Sequence, residues 1–487
     1  VKNCIFSSNV ANQKGGAIFL NESNATLENC TFKGNTTGST GDGGAVDLNS
    51  STLALTSCSF VSNHSYFYGG AINSLNSNIT LNSSSFSTNQ SLNSNGGGAI
   101  RLKGGSIAGS FNSFTANKAT HEGGAILWEE TTGSLSDSNF TSNQNLSWNG
   151  GGGIYFKNTS PTILRCSFTG NITNANNYGG AIHLNNASPT ISNCVLTSNA
   201  AASNSGGAIS IDSTSLPVLS ANEFRYNSAD AYGGAIYISG VHNFHATNNL
   251  FLGNYSNSGG AISAWGTTSM TFTNCRFIGN EANGSSGSIG GMAMLVNDTT
   301  STSFVNCVIS GNKANDQSGV LKADGTTRFV NCSIFGNSAD TAGISLLFDG
   351  DVLEIENSIL WNNSANTVPD IYKNTGTARI NNSIFLSSQS QGLPSGTANL
   401  SDDPLFTDAD GPDNLVGTED DDLGLQASSP AIDQASVSVL GYSVSDALGK
   451  TRYGSGPDLG AYEYRINSAP VLSNSTEAGE LLVTVTE

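Results

Sequence analysis

A Gly-Gly-Ala-Ile motif, or a close variant of it, returns through most of this chain at a nearly fixed spacing. No other feature restricts the fold as much. The motif starts at Gly15, Gly43, Gly69, Gly97, Gly123, Gly151, Gly179, Gly206, Gly233 and Gly259, in steps of 26 to 28 residues. Between copies stands an apolar residue, usually Phe, with Asn three places later. Phe6/Asn9, Phe32/Asn35 and Phe60/Asn63 open that series, and Ile309/Asn312, Ile334/Asn337 and Leu360/Asn363 close it. A period of about 20–50 residues marks a solenoid, a propeller or an array.

The content of one repeat separates these. Val46/Leu48, Leu53/Leu55 and Cys58/Phe60 alternate with Asp47, Ala54 and Ser59, which sends the two sets to opposite faces of a strand. No repeat carries the i, i+3, i+4, i+7 apolar pattern of a helix, and a propeller blade needs about 40–50 residues. The reading is therefore all-β: a right-handed parallel β-helix of three short strands per coil, with a C-terminal cap. About 14–15 coils at roughly 4.8 Å each give a rod of roughly 70 Å.

Asn stands three places before the apolar residue at Asn3, Asn29, Asn193, Asn248, Asn274, Asn306, Asn331, Asn357 and Asn382. It tolerates the left-handed region and bonds locally through its side chain. This column is expected at a tight corner, hydrogen-bonded as a ladder along the axis. The Gly pair is expected at another corner, where a Cβ would be costly. The eight cysteines, Cys4, Cys30, Cys58, Cys166, Cys194, Cys275, Cys307 and Cys332, share one repeat position, which other coils fill with Ser84, Asn112 or Ser138. They read as small buried residues with inert thiols; disulfides between adjacent coils are the lesser alternative. Zinc is disfavoured, because no Cys-x-x-Cys or neighbouring His pair occurs.

Only 11% of residues are charged, while Ser, Thr, Asn and Gly dominate. That suits a secreted solenoid with a thin apolar core. No secretory h-region and no run of about 18 apolar residues is present, so this segment is not expected to insert into a membrane. Val1 opens in mid-coil, and upstream coils or a cap are expected to cover the strand edges. The repeat loosens after Thr267, where Gly290-Gly291-Met292 arrives late and Ala342-Gly343-Ile344 keeps only part of the motif. The expected division is a rod over 1–398, an acidic C-terminal cap over 399–465, and a linker with one β-strand over 466–487.

Residues 399–487 hold 16 acidic and 3 basic residues of a chain with net charge −19. The density peaks at Asp408-Ala409-Asp410-Gly411-Pro412-Asp413 and Glu419-Asp420-Asp421-Asp422. Carboxylates alternating around a Gly turn can supply oxygen ligands to calcium. Asp408, Asp410 and Asp413 are the first-choice ligands, with Asp420 or Asp421 closing the site; a solvated acidic loop is the plain alternative.

The Gly-Gly-Ala-Ile and Phe-x-x-Asn repeats resemble those of polymorphic outer-membrane proteins, bacterial surface adhesins and autotransporters with a β-helical passenger. Asp403-Pro404-Leu405-Phe406, Ser429-Pro430-Ala431-Ile432-Asp433 and Asp458-Leu459-Gly460-Ala461-Tyr462-Glu463 resemble the C-terminal cap of bacterial β-helix surface proteins of the choice-of-anchor type. The last residues, with Leu481-Leu482-Val483-Thr484-Val485-Thr486, resemble the entry to a cadherin-like or immunoglobulin-like module. The resemblance implies an extracellular or bacterial cell-surface location and attachment to a receptor or glycan, with assembly of copies in an appendage.

Fold alone does not settle function. The column after the Gly-Gly-Ala-Ile motif, from Phe19 through Asp47, Asn73, Arg101, Leu127, Tyr155, His183, Ser210 and Tyr237 to Ser263, is expected to face outward. Asp47, Asn73 and Arg101 on successive coils are the best catalytic candidate, though a surface coincidence explains them more simply. Glu129-Glu130 beside an inward Trp128 adds little. His64, His121, His183, His242 and His245 fall at different repeat positions and form no constellation. The acidic balance argues against nucleic acid. The leading expectation is a non-enzymatic structural rod of a large bacterial surface or secreted protein, an adhesin stalk or appendage subunit. The alternative is a polysaccharide-binding or polysaccharide-cleaving β-helix with Tyr155 and Tyr237 as stacking platforms.

Overall fold

Each coil runs through four short strands. In the second coil they are Val46–Asn49, Thr52–Thr56, Ser59–Val61 and His64–Ser65. The first three are the alternations legible in the sequence; the fourth, two residues long, follows the Asn of Phe-x-x-Asn. In two coils the first and second strands run together, as Ile72–Asn82 and Ile100–Ser110. The structure, a computed structural model, describes residues 1–93, 96–147, 149–174, 178–284, 294–297, 301–314, 318–323, 325–339, 344–348, 351–365, 368–373, 375–387, 390–391, 396–453, 456–465, 473–477 and 480–484. The insert at Gly290-Gly291-Met292, the Ala342-Gly343 pair and the 466–470 linker lie outside the described residues.

Strands pair in parallel with their equivalents one coil on, in the register of the repeat. Val46 lies opposite Ile72, Leu53 opposite Ile79 and Phe60 opposite Phe86. The Phe strands make one 14-stranded sheet from Ile5–Ser7 to Ile359–Trp361, and the short strands after Asn make a second 14-stranded sheet. The chain is a right-handed parallel β-helix, as its period predicts.

Alternation places one residue of each Phe strand inside. Phe6, Phe32, Phe60, Phe86, Phe114, Phe140 and Phe168 stack with centroids 4.6–5.0 Å apart and rings within 8° of parallel. Offset stacking adds to what area burial alone contributes. All eight cysteines are free and seven are buried. Cys58 Sγ lies 3.4 Å from the carbonyl oxygens of both Leu27 and Thr56.

The corners divide the labour differently from the expectation. Asn29, Asn193 and Asn306 do take positive φ, at 53°, 53° and 52°. Ser57 and Asp137 adopt the same conformation in other coils. Side-chain links in this column join Asn248, Asn274 and Asn306. The unbroken ladder runs instead through the Asn of Phe-x-x-Asn, from Asn9 to Asn363. Each Nδ2 donates to the Oδ1 one coil on at 2.7–3.0 Å. Asn63 also donates to the Phe32 carbonyl at 3.0 Å, and its Oδ1 accepts from the Asn35 backbone N–H at 3.0 Å. Buried amides satisfied this completely stabilise the stack, because leaving one unpaired costs about 1–3 kcal/mol. At the Gly-Gly corner a Cβ on Gly43, φ 63°, would lie 2.2 Å from the Val46 carbonyl oxygen.

The C-terminal cap covers the flank of the last coils. Phe406, Leu423, Leu425, Ala431, Leu459 and Ala461 pack on Val308, Phe335, Ile359 and Ile384. The outward positions of the Phe strands change to receive it. Early coils place Ser59, Ser85, Ser87 and Thr115 there, and the coils under the cap place Val308, Phe335 and Ile359. The corner residues Asn306 and Asn357 anchor it. Arg452 Nη2 donates to Asn306 Oδ1 at 3.2 Å, and Asn357 exchanges two 2.9 Å bonds with the Ser436 backbone. A turn at Val416-Gly417 rests on three corner glycines. A Cβ would meet Gly417 O at 2.3 Å from Gly279, Gly417 Cα at 2.1 Å from Gly311, and Val416 Cγ1 at 2.5 Å from Gly336. Beyond the turn, Arg225 donates two 2.7 Å bonds to the Glu419 carboxylate, the bidentate geometry that favours Arg over Lys.

Residues 473–477 and 480–484 pair antiparallel, so the segment read as one strand contains two. No helix among the described residues is long and apolar enough to cross a membrane.

Candidate binding face

Chemistry-bearing side chains gather on one face of the rod, on the column that follows each Gly-Gly corner. The column, expected to face outward, is instead covered over much of its length. Asp47 is 1% exposed, Arg101 8% and His183 8%, and Leu127 and Tyr155 are also buried. Several residues that stand just before a Gly pair lie against the column and cover it. Lys14 Nζ stands 3.9 Å from Asp47 Oδ1, the Tyr68 ring lies 4.2 Å from the Arg101 guanidinium carbon, and Tyr178 packs beside His183. Tyr68, Tyr178 and Tyr232 each precede a Gly pair directly, at Gly69, Gly179 and Gly233. That shared repeat position was the signal available in the sequence.

The first half of the face is a polar chain along the axis. Asn73 Nδ2 donates to Asp47 Oδ2 at 3.1 Å, and Arg101 Nη1 donates to Asn73 Oδ1 at 3.2 Å. Arg101 Nη2 reaches Glu129 Oε2 at 3.4 Å, while Lys103 and Lys157 flank the other Glu129 oxygen at 3.2 and 3.5 Å. Burial alone would raise Glu129, but Lys103, Lys157 and Arg101 outweigh it and hold the carboxyl below its ordinary value. Asp47 goes the other way. Burial raises it to about 6, against the lowering by the Asn73 bond and by Lys14. Asp47 Oδ1 and Arg101 Nε have no hydrogen-bond partner. The structure thus brings the catalytic candidates together but turns each toward its neighbour along the axis.

The second half is aromatic. Tyr155 stacks on His183 at 5.1 Å, and its hydroxyl accepts from Asn185 at 2.9 Å. Tyr178 lies 6.0 Å from His183 and 5.9 Å from Tyr237. Tyr232 stands 6.2 Å from Tyr237 and meets Trp265 edge-on at 5.4 Å. Desolvation lowers His183 to about 4, so the imidazole is neutral, and its Nδ1 has no hydrogen-bond partner.

Residues 3–21 match the Chlamydia polymorphic membrane protein repeat, and residues 134–277 match the right-handed beta helix region family. The chain is a parallel β-helix whose first coil is similar to the polymorphic membrane protein repeat. The shorter match spans one coil, from Asn3 through Phe6 and Asn9 to the Gly15-Gly16-Ala17-Ile18 corner and Asn21. No curated protein matches the chain. The repeat match and the fold together fit a bacterial surface protein of the autotransporter-like class.

The calcium candidates sit on the cap. Asp408 ends the strand Phe406–Asp408 and lies opposite Asp422, and the Asp410 carbonyl accepts from the Leu415 N–H at 2.9 Å. Carboxylate oxygens of Asp413, Asp420 and Asp421 approach the Thr418 hydroxyl at 3.4, 2.5 and 3.3 Å. Asp421 also accepts from Gly417 N at 2.7 Å and Ser310 Oγ at 3.0 Å. Three of the five therefore converge on one hydroxyl. Among the described residues, no group of three or more His, Cys, Asp or Glu is placed to hold a metal ion.

Proposed function

We propose that the chain is the structural rod of a large bacterial cell-surface or secreted protein, an adhesin stalk or appendage subunit that mediates attachment. The observation that supports this reading is the axial continuity. One Asn ladder and one sheet register run through 14 coils, which makes the molecule long, stiff and indifferent to the number of coils. Solenoid coils couple mainly to their neighbours, so length is adjustable without loss of fold. The test is attachment by cells displaying the whole protein after excision of two, four or six entire coils. Each coil removed shortens the rod by roughly 4.8 Å. The reading expects attachment to fall stepwise with length while each deletion still folds. Attachment that ignores rod length would overturn it.

Asp47, Asn73 and Arg101 are assigned an axial structural role and no catalysis. Reducing ends released from a polysaccharide by the wild type, and not by Asp47→Asn, would reverse that assignment. Calcium at the 408–422 loop is a further proposal, supported by the convergence of Asp413, Asp420 and Asp421 on Thr418. An ion there would take the place of the hydroxyl as their common partner and stiffen the cap.

A further inference from the structure

We propose that the strip formed by Tyr178, Tyr237, Tyr232 and Trp265, with His183 at its edge, binds an uncharged polysaccharide lying along the rod axis. This site goes beyond the stalk reading and does not depend on it.

The strip differs from the rest of the column in being open. Tyr178 is 37% exposed, and Tyr232, Tyr237 and Trp265 are half-buried, whereas Tyr155 is buried. Consecutive rings touch at 5.4–6.2 Å, so they form one continuous surface across several coils. Ser210 stands between His183 and Tyr237 in the sheet register, and the Trp265 indole N–H donates to Ser263 at 3.1 Å. Ring edges and hydroxyls therefore alternate along the axis. Sugars present the same alternation, C–H patches beside hydroxyls, and rigid aromatic side chains bind them at little cost in conformational entropy.

Charge selects among ligands. From Tyr178 to Trp265 the only basic residue is Arg225, which lies in the Phe-strand sheet and is held by Glu223 and Glu419. An anionic chain, whether a uronate polymer or a nucleic acid, finds no free counter-ion here, since Lys157 on the strand paired with that of His183 is held by Glu129 at 3.5 Å. Asp212 does not substitute as a cation site, because its carboxylate already accepts from Asn186 N, Thr214 and Ser215. A polymer of neutral hydroxyls fits a coil repeat of roughly 4.8 Å.

A second, independent observation points to a ligand. His183 is more than nine-tenths buried, its ring contacts Tyr178 at the end of the strip, and its Nδ1 has no partner. Buried polar atoms are rarely left so. The imidazole is neutral at physiological pH, so it can exchange a hydrogen bond with a sugar hydroxyl, as donor or acceptor according to tautomer.

The test uses the full chain in affinity electrophoresis and calorimetry against xyloglucan, mixed-linkage β-glucan, galactomannan and dextran. Polygalacturonate, gelatin and phosphatidylcholine vesicles complete the panel. At least one neutral polysaccharide should retard the protein, with little change between low and high salt. Tyr237→Ala and Trp265→Ala should each weaken that binding by about tenfold or more. Tyr226→Ala, a still more exposed tyrosine outside the strip, should leave it unchanged, and all three should melt near the wild type. The proposal is overturned if no neutral polysaccharide binds, or if binding survives both strip substitutions. Salt-sensitive binding to polygalacturonate alone, or binding to gelatin or vesicles alone, overturns it equally. None of these outcomes bears on rod length, which the coil-excision series reads separately.

Discussion

Replacing Gly311 with Ala separates two costs that coincide at one corner. The first is conformational. Gly311 has φ +60°, and an L-residue held there costs about 1–2 kcal/mol. Ala116 already occupies the equivalent corner at φ 54°, so the rod accepts that cost. The second is contact with the cap, since the new Cβ would fall 2.1 Å from Gly417 Cα and 2.5 Å from Gly417 N. Both are backbone atoms, so no rotamer relieves the overlap and the Val416-Gly417 turn has to lift. Lifting it strains the 3.0 Å bond from Ser310 to Asp421 and the Arg225–Glu419 pair. Overpacking of this kind adds about 1–3 kcal/mol, for a total loss of about 2–5 kcal/mol. Gly170→Ala is the control. Its φ is +62°, and its nearest neighbour would be Ser142 Oγ at 3.7 Å, so only the conformational part applies. Urea denaturation of both variants measures the difference. Cleavage after Glu419 by a Glu-specific protease reports whether the turn has lifted. Equal destabilisation in the two variants, with Glu419 cleaved at the wild-type rate in both, refutes the argument.

Phe140 sits between Phe114 and Phe168 at 4.7 Å on either side. Phe140→Ala should cost about 3–5 kcal/mol in denaturation, and a loss under about 1 kcal/mol contradicts the buried stack. Alkylation of the native protein should modify Cys4 first and spare the seven buried thiols; disulfide-linked peptides joining Cys4 to Cys30 or Cys166 to Cys194 contradict this. Asp47 has its folded pKa at about 6, above its value of about 3.9 in an unfolded chain. The folded state therefore holds more protons between about pH 4 and 6, and stability falls as pH rises through that window. Asp47→Asn should remove that part of the slope and be the more stable protein near neutrality, by up to about 3 kcal/mol; an unchanged pH profile refutes it. Calcium should raise the melting temperature of the cap and should do so less in Asp420→Asn, with melting curves identical in calcium and chelator as the contrary result.

The coil was legible because its inner positions repeat. Phe, Ile and the ladder Asn return at fixed offsets, and parallel stacking turns each offset into a column. The cap's position was not legible from its own motifs, which say only that something terminates the rod. It was written in the rod, where Ser59 and Ser85 give way to Val308 and Ile359 at an outward position. An outward residue that turns apolar over successive coils announces a cover. The cover over the binding face was not legible for a related reason. Period-two alternation correctly sends Asp47, Arg101 and Tyr155 away from the Phe core, but it is silent on what the preceding loop does. Tyr68, Tyr178 and Tyr232 come from that loop, and only their shared place before a Gly pair hinted that they return over the column.

Inner and outer columns thus answer to different constraints within one coil. An inner residue is fixed by the coil above and the coil below, and a change such as Phe140→Ala removes contacts on both sides at once. An outer residue meets its axial neighbours at ring or hydrogen-bond distance but leaves the core untouched. The same face can carry Asp47, Asn73 and Arg101 in one stretch and Tyr155, His183 and Tyr237 in the next while the Asn ladder beneath continues unbroken. Surface chemistry therefore varies coil by coil without disturbing the stack that holds the rod together. The length of any binding strip is set by how many successive coils present the same kind of side chain. Here the open aromatic run ends at Trp265, just before Gly279 and Gly311 begin to carry the cap on the Phe-strand side of the rod.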